Sequence, residues 1–259
     1  VTFTNKAARE MKARVEQLVG KRRCQGVILS TFHSLCVRFL REDIDKLGFK
    51  KNFSIYGTSD QVRLIKDLVQ DVNSEGRKFD ADRILWMISD AKNRMVGPQD
   101  FSARGGDPYE NMAAFVYPRY QKALKAYNAV DFDDLLCLPI ELFREDERIR
   151  KKYGDQFRYV MVDEYQDTNE TQLLLLRELV RDHENLCVVG DDDQSIYGFR
   201  GALAENILKF ENEFDDTKVI KLEQNYRSTN TILSAANALI AHNPVRKDKE
   251  LWSAKGEGQ

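Results

Sequence analysis

The stretch that decides the fold is Tyr159-Val160-Met161-Val162-Asp163-Glu164-Tyr165-Gln166-Asp167-Thr168-Asn169, in which an apolar run ends abruptly in paired carboxylates. The four apolar residues predict a strand that is covered on both faces. The Asp167-Thr168-Asn169 cluster predicts the start of a helix over residues 170–181. The local order is therefore strand, acidic turn and helix, and it brings two acids to one edge of a sheet.

The Asp163-Glu164 pair has two interpretations. In nucleoside triphosphatases this order of elements places an aspartate on Mg²⁺ and can place the next glutamate where it activates water. Most Asp-Glu pairs are, however, solvated surface charge. The apolar strand before the pair favours the catalytic interpretation.

Length and composition predict a soluble globular protein. The 259 residues are 42% hydrophobic, which suffices for one large domain or two smaller ones. No apolar run reaches the roughly 20 residues that cross a bilayer, and the N-terminus does not resemble a signal peptide. The four cysteines lie far apart and have no metal-ligand spacing. We therefore expect an intracellular protein with reduced, mostly packed thiols.

Charge is unevenly distributed along the chain. Residues 1–26 hold seven basic and two acidic residues, a net charge of +5, although the whole chain carries −2. Such an end should attract polyanions. Acids cluster instead at 163–170 and at Asp191, Asp192 and Asp193, where a divalent cation would neutralise them. Charge runs are usually solvated faces, so this pattern alone does not establish nucleic-acid binding.

The first 47 residues alternate strand and helix, which is typical of an α/β sheet. Residues 1–4 and 27–29 predict short strands. A helix follows each of them, the first from Asn5 and the second after Ser30-Thr31-Phe32-His33. Ser/Thr-rich junctions of this kind are where parallel sheets contact ligands. His33 could equally be a helix cap or a packed ring.

Residues 48–153 predict helices without strand alternation. Apolar residues recur with helical spacing over 62–72 and 84–91, and glycine-containing loops separate the helices. The acid-rich Asp131-Phe132-Asp133-Asp134 predicts a cap before a helix over 135–143. The Tyr and Phe residues here are more often core than base-stacking platforms, and both interpretations stay open.

The rest of the chain returns to strands that end in polar turns. Residues 186–189 and 219–222 predict strands, and a helix is expected over 229–241. The first strand is followed by a polar loop over 190–202. The second is followed by Glu223-Gln224-Asn225-Tyr226-Arg227-Ser228, in which Arg227 could reach a phosphate.

Five motifs, taken in order, carry a resemblance to a known family. They are Val1-Thr2-Phe3-Thr4-Asn5-Lys6-Ala7-Ala8, Ser30-Thr31-Phe32-His33-Ser34, Val162-Asp163-Glu164-Tyr165-Gln166-Asp167-Thr168-Asn169, Gly190-Asp191-Asp192-Asp193-Gln194-Ser195-Ile196-Tyr197 and Gln224-Asn225-Tyr226-Arg227-Ser228. They resemble successive motifs of the Rep/PcrA/UvrD superfamily 1 DNA helicases. The resemblance covers essentially the whole chain, including Val130-Asp131-Phe132-Asp133-Asp134-Leu135 in the helical part.

The resemblance implies an α/β fold, in which helices flank the parallel sheet of a RecA-like P-loop NTPase. An all-helical subdomain would be inserted in this fold, and the fold would be truncated at both ends. Residues 1–47 and 152–223 would form an incomplete first motor domain, and residues 48–151 the inserted subdomain. Residues 224–259 would begin a second RecA-like domain. ATP would bind between the two motor domains.

The resemblance also implies roles in nucleotide hydrolysis. Asp163 would hold Mg²⁺, and Glu164 would polarise the attacking water. Gln194 would sense the γ-phosphate, and Tyr226 would stack near the adenine. Arg227 would be an arginine finger, which stabilises charge on the transferred phosphoryl group.

Single-stranded DNA and junctions between single-stranded and duplex DNA are the implied partners. The implied DNA contacts are Phe3, Thr4, Asn5, Thr31, Phe32, His33, Tyr197 and Phe199, and the residues implied to couple DNA to nucleotide are Gln166, Asp167 and Arg200. Stacking on an aromatic ring stabilises a base by roughly 1–3 kcal/mol whatever the sequence. The family commonly has tryptophan at the position of Phe199, so that contact should persist but weaken.

One motif of the family is absent. No Gly-x-x-x-x-Gly-Lys-Ser/Thr occurs in the chain, so the loop that cradles the triphosphate and shares Mg²⁺ is missing. The sequence also begins without an initiator methionine. We therefore expect a fragment that is inactive in isolation and exposes apolar surface or an unpaired sheet edge.

The main hypothesis is that the chain is part of an ATP-dependent 3′-to-5′ DNA helicase that uses Mg²⁺ and ATP. The alternative is a non-hydrolysing module that binds single-stranded DNA or another partner. A helicase–nuclease fusion is a third hypothesis, which nothing in the sequence supports. We expect a cytoplasmic protein at the bacterial nucleoid, away from membranes, with repair or replication proteins as possible partners.

Overall fold

A computed structural model of the chain describes residues 1–72, 77–103, 105–198, 201–214 and 216–258. These residues divide into a first unit, Val1–Asp163 with Asn169–Val188, and a second unit, Glu164–Thr168 with Val189–Gln259. The boundaries differ from the division expected at residues 47, 151 and 223. That division into motor domains and an inserted subdomain stays a prediction.

The first unit contains most of the regular structure. Its helices are α1 (Asn5–Val19), α2 (Lys21–Cys24), α3 (Phe32–Asp43), α4 (Thr58–Val72), α5 (Ala81–Asn93), α6 (Pro108–Ala126), α7 (Asp134–Glu145), α8 (Glu147–Gln156) and α9 (Glu170–Val180). Its strands are β1 (Ser54–Ile55), β2 (Ala129–Val130), β3 (Val160–Val162) and β4 (Leu186–Val188). Helices and parallel strands together make the α/β class that the sequence predicts.

The strand predicted before Asp163 forms as β3 and pairs in parallel with β4, with Val160 opposite Leu186. Val160 and Val162 are buried, but Met161 is 62% exposed. The prediction that this strand is covered on both faces is therefore wrong. Successive side chains of a strand point to opposite faces, and only the face of the two valines is packed. The exposed face is apolar surface of the kind expected above.

The two strands predicted near the N-terminus reduce to a single bridge. Thr2 pairs in parallel with Thr31, and the Thr2 N–H donates to the Ser30 carbonyl at 3.1 Å. Regular strands at 1–4 and 27–29 are thus not observed, because a ladder needs several aligned residues and only one pair is aligned here. The bridge still places the starts of α1 and α3 side by side.

The helical part has its own core, built where α4, α5 and α6 pack together. Its most buried members include Ile65, Ile84, Ile88, Val116 and Tyr120. The prediction of an all-helical segment is wrong in one detail, since β1 and β2 lie within it and pair in parallel. Two-residue strands are too short to show alternation in a sequence.

The helix predicted after the acidic turn is confirmed as α9. The Asn169 side chain accepts from the Gln172 N–H at 2.8 Å, and the Gln172 side chain accepts from the Asn169 N–H at 3.1 Å. This reciprocal pair is a capping box, which satisfies two N–H groups that the helix itself leaves unbonded.

The second unit is less regular. It contains α10 (Glu205–Leu208) and α11 (Asn230–Ile240), of which α11 confirms the helix predicted over 229–241. The strand predicted over 219–222 is not observed. Ile220 and Leu222 are exposed, and among the described residues that follow, only Gln224 forms a bridge, with Trp252. An apolar run becomes a strand only where another backbone segment lies beside it.

The cysteines are free thiols, as predicted, although Cys187 is exposed. Burial raises the pKa of the Cys36 thiol. Within the described residues, every helix is too short or too polar to cross a membrane.

Candidate functional site

Asp163 stands at the end of β3, in the first unit. Its N–H donates to the Val1 carbonyl at 3.0 Å, and the Val1 amino group donates to the Met161 carbonyl at 2.6 Å. The first residues of the chain therefore lie along the end of this strand. Asp163 is half-buried, and a carboxylate oxygen is a ligand type that Mg²⁺ prefers. The donor chemistry fits the expected metal role.

Glu164 has a left-handed backbone, with φ 55° and ψ 41°. A residue with a Cβ adopts this conformation rarely, at a cost of about 1–3 kcal/mol. Two contacts within the second unit hold it. Gln166 Nε2 donates to Glu164 Oε2 at 2.8 Å, and the Tyr165 N–H donates to the Val189 carbonyl at 3.0 Å. The strained turn is therefore held by the residues that follow it.

Gln166 connects Glu164 to the polar loop after Gly190. Its buried side chain accepts from the Asp191 N–H at 3.1 Å, and its carbonyl accepts from Ser195 Oγ at 3.2 Å. The loop approaches so closely that a Cβ on Gly190 would lie 2.5 Å from Gln166 Oε1. Glycine is therefore required here by close backbone approach, and Gln166 lies between the two polar turns.

The acids Asp191, Asp192 and Asp193 converge, with carboxylate oxygens within 4.8 Å of one another. The expectation that a divalent cation neutralises them stays a prediction, but two basic side chains already contact them here. Lys249 Nζ lies 2.5, 2.8 and 3.0 Å from the three carboxylates, and Arg246 bonds Asp193 at 3.0 Å. Burial lowers the pKa of Lys249, but the three carboxylates outweigh burial and raise it. Lys249 and Arg246 thus partly neutralise the three carboxylates.

Gln194, Tyr226 and Arg227 are exposed residues of the second unit. Gln194 Nε2 donates to Asp191 Oδ2 at 2.6 Å. Tyr226 is 75% exposed, and its hydroxyl donates to a neighbouring glutamine. The Arg227 N–H is held by Asn225 Oδ1 at 2.9 Å, while its guanidinium makes no hydrogen bond to any residue that the structure describes. That guanidinium can bind an anion without breaking a contact.

The two N-terminal turns expected to contact DNA lie side by side in the first unit. Thr4 caps α1 by accepting from the Ala7 N–H at 3.1 Å, and Thr31 caps α3 by accepting from the Ser34 N–H at 3.2 Å. Asn5 is the first, exposed residue of α1. Two neighbouring helix N-termini favour binding of phosphate groups.

The prediction that Phe32 contacts DNA is wrong. Phe32 is 1% exposed, so its ring cannot stack on a base, and it packs instead beneath Phe3 with ring centroids 5.6 Å apart. His33 is half-buried, and burial lowers its pKa to about 4, which keeps the ring neutral near pH 7. It is therefore a packed ring rather than a charged ligand.

His33 stacks on Phe132, a residue that the sequence analysis placed in a helix cap but did not name among the DNA contacts. The ring centroids are 4.0 Å apart and the planes 26° apart. Phe132 is 54% exposed, so one side of the stack is open. An aromatic residue within a run of acids was the signal that could have revealed it, because such a ring has little reason to be exposed in a simple cap.

The remaining expected residues that the structure describes lie in the acidic turn and in the polar loop of the second unit. Burial raises the pKa of Asp167, and the charge of Glu164 raises it further. One buried oxygen of Asp167 has no hydrogen-bond partner among the described residues. Tyr197 is exposed in the polar loop of the second unit. Phe199 and Arg200 lie outside the described residues.

Residues 1–215 match the UvrD/REP helicase N-terminal domain. The chain belongs to this family. The match includes β1–β4, α1–α10 and the Glu164–Gln166 contact, and it confirms the resemblance to Rep/PcrA/UvrD superfamily 1 helicases.

Curated relatives of this UvrD/REP domain are similar along its whole length. ATP-dependent DNA helicase PcrA of Bacillus subtilis is 49% identical over 258 residues, and the proteins of that name from Staphylococcus epidermidis and Staphylococcus aureus are 48% and 47% identical. All of this chain is covered in each case. It spans 35% of the length of those relatives, so the similarity covers only part of each of those proteins.

Proposed function

We propose that this chain is part of an ATP-dependent DNA helicase that couples hydrolysis of Mg²⁺-bound ATP to 3′-to-5′ movement on single-stranded DNA. Membership of the UvrD/REP family and the similarity to proteins named PcrA support this reaction class. The observation that carries the proposal is Glu164, an exposed acid in a strained backbone held by the buried Gln166. A surface charge without a role needs no such arrangement.

The nucleotide chemistry is divided among side chains with different properties. Asp163 binds Mg²⁺, which when bound neutralises charge on the phosphate oxygens. Glu164 orients the attacking water and accepts its proton. Arg227 offers a planar guanidinium, whose paired N–H groups match phosphate oxygens. Tyr226 stacks on the adenine, and Gln194 donates its amide to the γ-phosphate.

Coupling to DNA in this proposal begins at Gln166 and Asp167, which lie in the same turn as Glu164. Gln166 contacts both Glu164 and the Asp191 N–H. A change in the position of Glu164 therefore reaches the polar loop that carries Tyr197. Burial and, next, the charge of Glu164 raise the pKa of Asp167, so the two acids of this turn interact.

DNA binding in the first unit uses phosphate and base contacts. The N-termini of α1 and α3, with Thr4, Asn5 and Thr31, contact phosphates. The open side of the His33–Phe132 stack contacts bases, as stacking surfaces in single-strand-binding proteins do. Basic residues of α1 and α2 add attraction that depends on salt concentration.

The proposal is tested by ATP hydrolysis in the complete gene product, with and without single-stranded DNA. Glu164→Gln should lower DNA-stimulated hydrolysis by about 10²-fold or more, because a positioned base contributes about 10²–10⁴. Glu184→Gln is the matched control, since Glu184 is exposed and also has a left-handed backbone, with φ 53°. Unchanged hydrolysis in Glu164→Gln would contradict the assignment.

The same assay separates the two function classes. A folded complete protein that binds single-stranded DNA but never hydrolyses ATP would favour the non-hydrolysing module. For the 259-residue chain alone we propose no hydrolysis, since it lacks the Gly-rich phosphate loop. A cytoplasmic location at the nucleoid and repair or replication partners remain part of the proposal.

A further inference from the structure

Lys92, near the end of α5, anchors a short turn of the first unit. It is 3% exposed, and its Nζ lies 2.6 Å from Asp131 Oδ2 and 2.7 Å from Asp134 Oδ1. The Tyr120 hydroxyl donates to the same Asp131 oxygen at 2.9 Å. Both ends of the segment 131–134, hereafter the Phe132 turn, are therefore fixed to buried groups.

The Phe132 turn is also closed on itself. The Asp134 N–H donates to Asp131 Oδ1 at 2.8 Å, and the Asp131 N–H donates to Asp134 Oδ2 at 3.2 Å. These reciprocal bonds have the pattern of a capping box, although Asp133, the residue directly before α7, makes no side-chain bond to the helix. The exposed ring of Phe132 thus stands on a turn that has little freedom to move alone.

Asn93, the last residue of α5, joins this turn to the start of α9. Its Nδ2 donates to Asp133 Oδ1 at 3.2 Å, and its Oδ1 accepts from Asn169 Nδ2 at 2.9 Å. The Asn93 carbonyl also accepts from Thr171 Oγ1 at 2.6 Å. Only one orientation of the amide satisfies both side-chain partners, because Asp133 can accept but not donate while ionised. One residue therefore contacts both elements at once.

We propose that Asn93 is a positioning residue that couples nucleotide hydrolysis to the base-stacking ring of Phe132. Asn169 directly follows the acidic turn in the chain, so a shift of that turn moves the residue that Asn93 holds. The Phe132 turn moves together with the end of α5, since Lys92 and Asn93 of that helix both bond its acids. This inference rests on the proposed function. A purely structural role for Asn93 would affect stability without changing the response to DNA.

The test compares variants of the complete gene product. Asn93→Ala removes every side-chain bond, whereas Asn93→Asp keeps the size and the acceptor for Asn169 but cannot donate to Asp133 or to Ser89. Asn111→Ala changes an exposed asparagine of α6 and is the matched control. ATP hydrolysis is measured without DNA and with saturating single-stranded DNA, and binding is compared for oligonucleotides with bases and with abasic sites.

Both Asn93 variants should keep hydrolysis without DNA within about twofold of the parent, while the stimulation by DNA falls by roughly 2- to 30-fold. Phe132→Ala should lower stimulation too, and the double variant should be no worse than Phe132→Ala alone, because the two residues act through one ring. The preference for base-containing over abasic DNA should fall in parallel. Asn111→Ala should change neither quantity.

Two results overturn the inference alone. One is unchanged stimulation in folded Asn93→Asp, which decides the matter if Asn93→Ala does not fold. The other is a loss that adds to that of Phe132→Ala. A folded parent protein whose hydrolysis does not respond to DNA would instead overturn the proposed function and this inference with it.

Discussion

Replacing Lys92 by methionine should destabilise the first unit strongly. The substitution roughly keeps the volume but leaves Asp131 and Asp134, both buried, without their shared ammonium group. Removing one partner of a buried ion pair costs about 3–5 kcal/mol. Tyr120 and two backbone N–H groups still donate to the acids, which keeps the loss within this range rather than above it.

The loss should depend on pH in a defined direction. Burial and the charge of Asp131 already raise the pKa of Asp134, and without Lys92 that pKa rises further. A carboxyl whose pKa is higher in the folded protein than in the unfolded chain stabilises the fold when protonated and loses that effect as pH rises. The penalty of Lys92→Met should therefore be larger near pH 8 than near pH 5.5. The difference is about 1.4 kcal/mol for each pH unit over which Asp134 stays protonated in the folded variant.

Urea and thermal unfolding of the parent and variant measure this penalty. For a unit of this size, 3–5 kcal/mol corresponds to a fall in melting temperature of about 6–20 °C. Lys122→Met, at an exposed position of α6, is the matched control and should change little. Converting both acids to asparagine in the Lys92→Met background should recover part of the loss. A penalty below about 1 kcal/mol at every pH, equal to that of the control, would refute the reasoning.

Three further predictions concern single sites. Gly190→Ala should lower unfolding stability by about 1–3 kcal/mol, because its Cβ would lie 2.5 Å from a buried amide oxygen, whereas Gly198→Ala in the same loop meets nothing within 4 Å and should be neutral. Burial lowers the pKa of His33 to about 4 from 6.5, so stability falls as pH drops through this window; in urea titrations at about pH 7 and pH 4.5, His33→Gln should remove at most about 2.5 kcal/mol of the difference. Arg227→Ala should lower steady-state ATP hydrolysis of the complete protein by roughly 10³-fold and Arg227→Lys by less, since lysine keeps the charge without the paired N–H groups; equal rates for Arg227→Lys and the parent would contradict the proposed role of the guanidinium.

Elements that depend on local signals were predictable from the sequence. The apolar run of β3 and the cap at Asn169 are set by residues within a few positions of one another, and both form as expected. The strand predicted over 219–222 has similar apolar character but is not observed. A strand also needs a neighbouring segment at hydrogen-bonding distance, and the apolar pattern of one segment carries no information about that partner.

In the candidate site, too, the local sequence does not identify contact partners that are distant in the chain. Lys92 bonds acids that are 39 and 42 residues away, and no local pattern marks it as anything but a surface lysine. The acids at 191–193 were recognised from their spacing, but their cationic partners come from residues 246 and 249. Family resemblance identified the residue types at the turns, whereas the burial of Phe32 and the exposure of Phe132 depend on packing between distant helices.

The backbone of Glu164 is informative because of what surrounds it rather than because it is unusual. Among the described non-glycine residues, Met95, Asn128, Glu184 and Asp216 also have a positive φ. Asn128 belongs to a residue type that tolerates this conformation, and the Glu184 side chain makes no hydrogen bond to any described residue, so its turn is a surface feature. At Glu164 the carboxylate is held by an amide whose other end is fixed to the Asp191 N–H. The buried Gln166 amide is bonded at both its oxygen and its nitrogen, so the strained turn resists relaxation. The turn, rather than the rotamer of Glu164, therefore sets the direction of the Glu164 carboxylate.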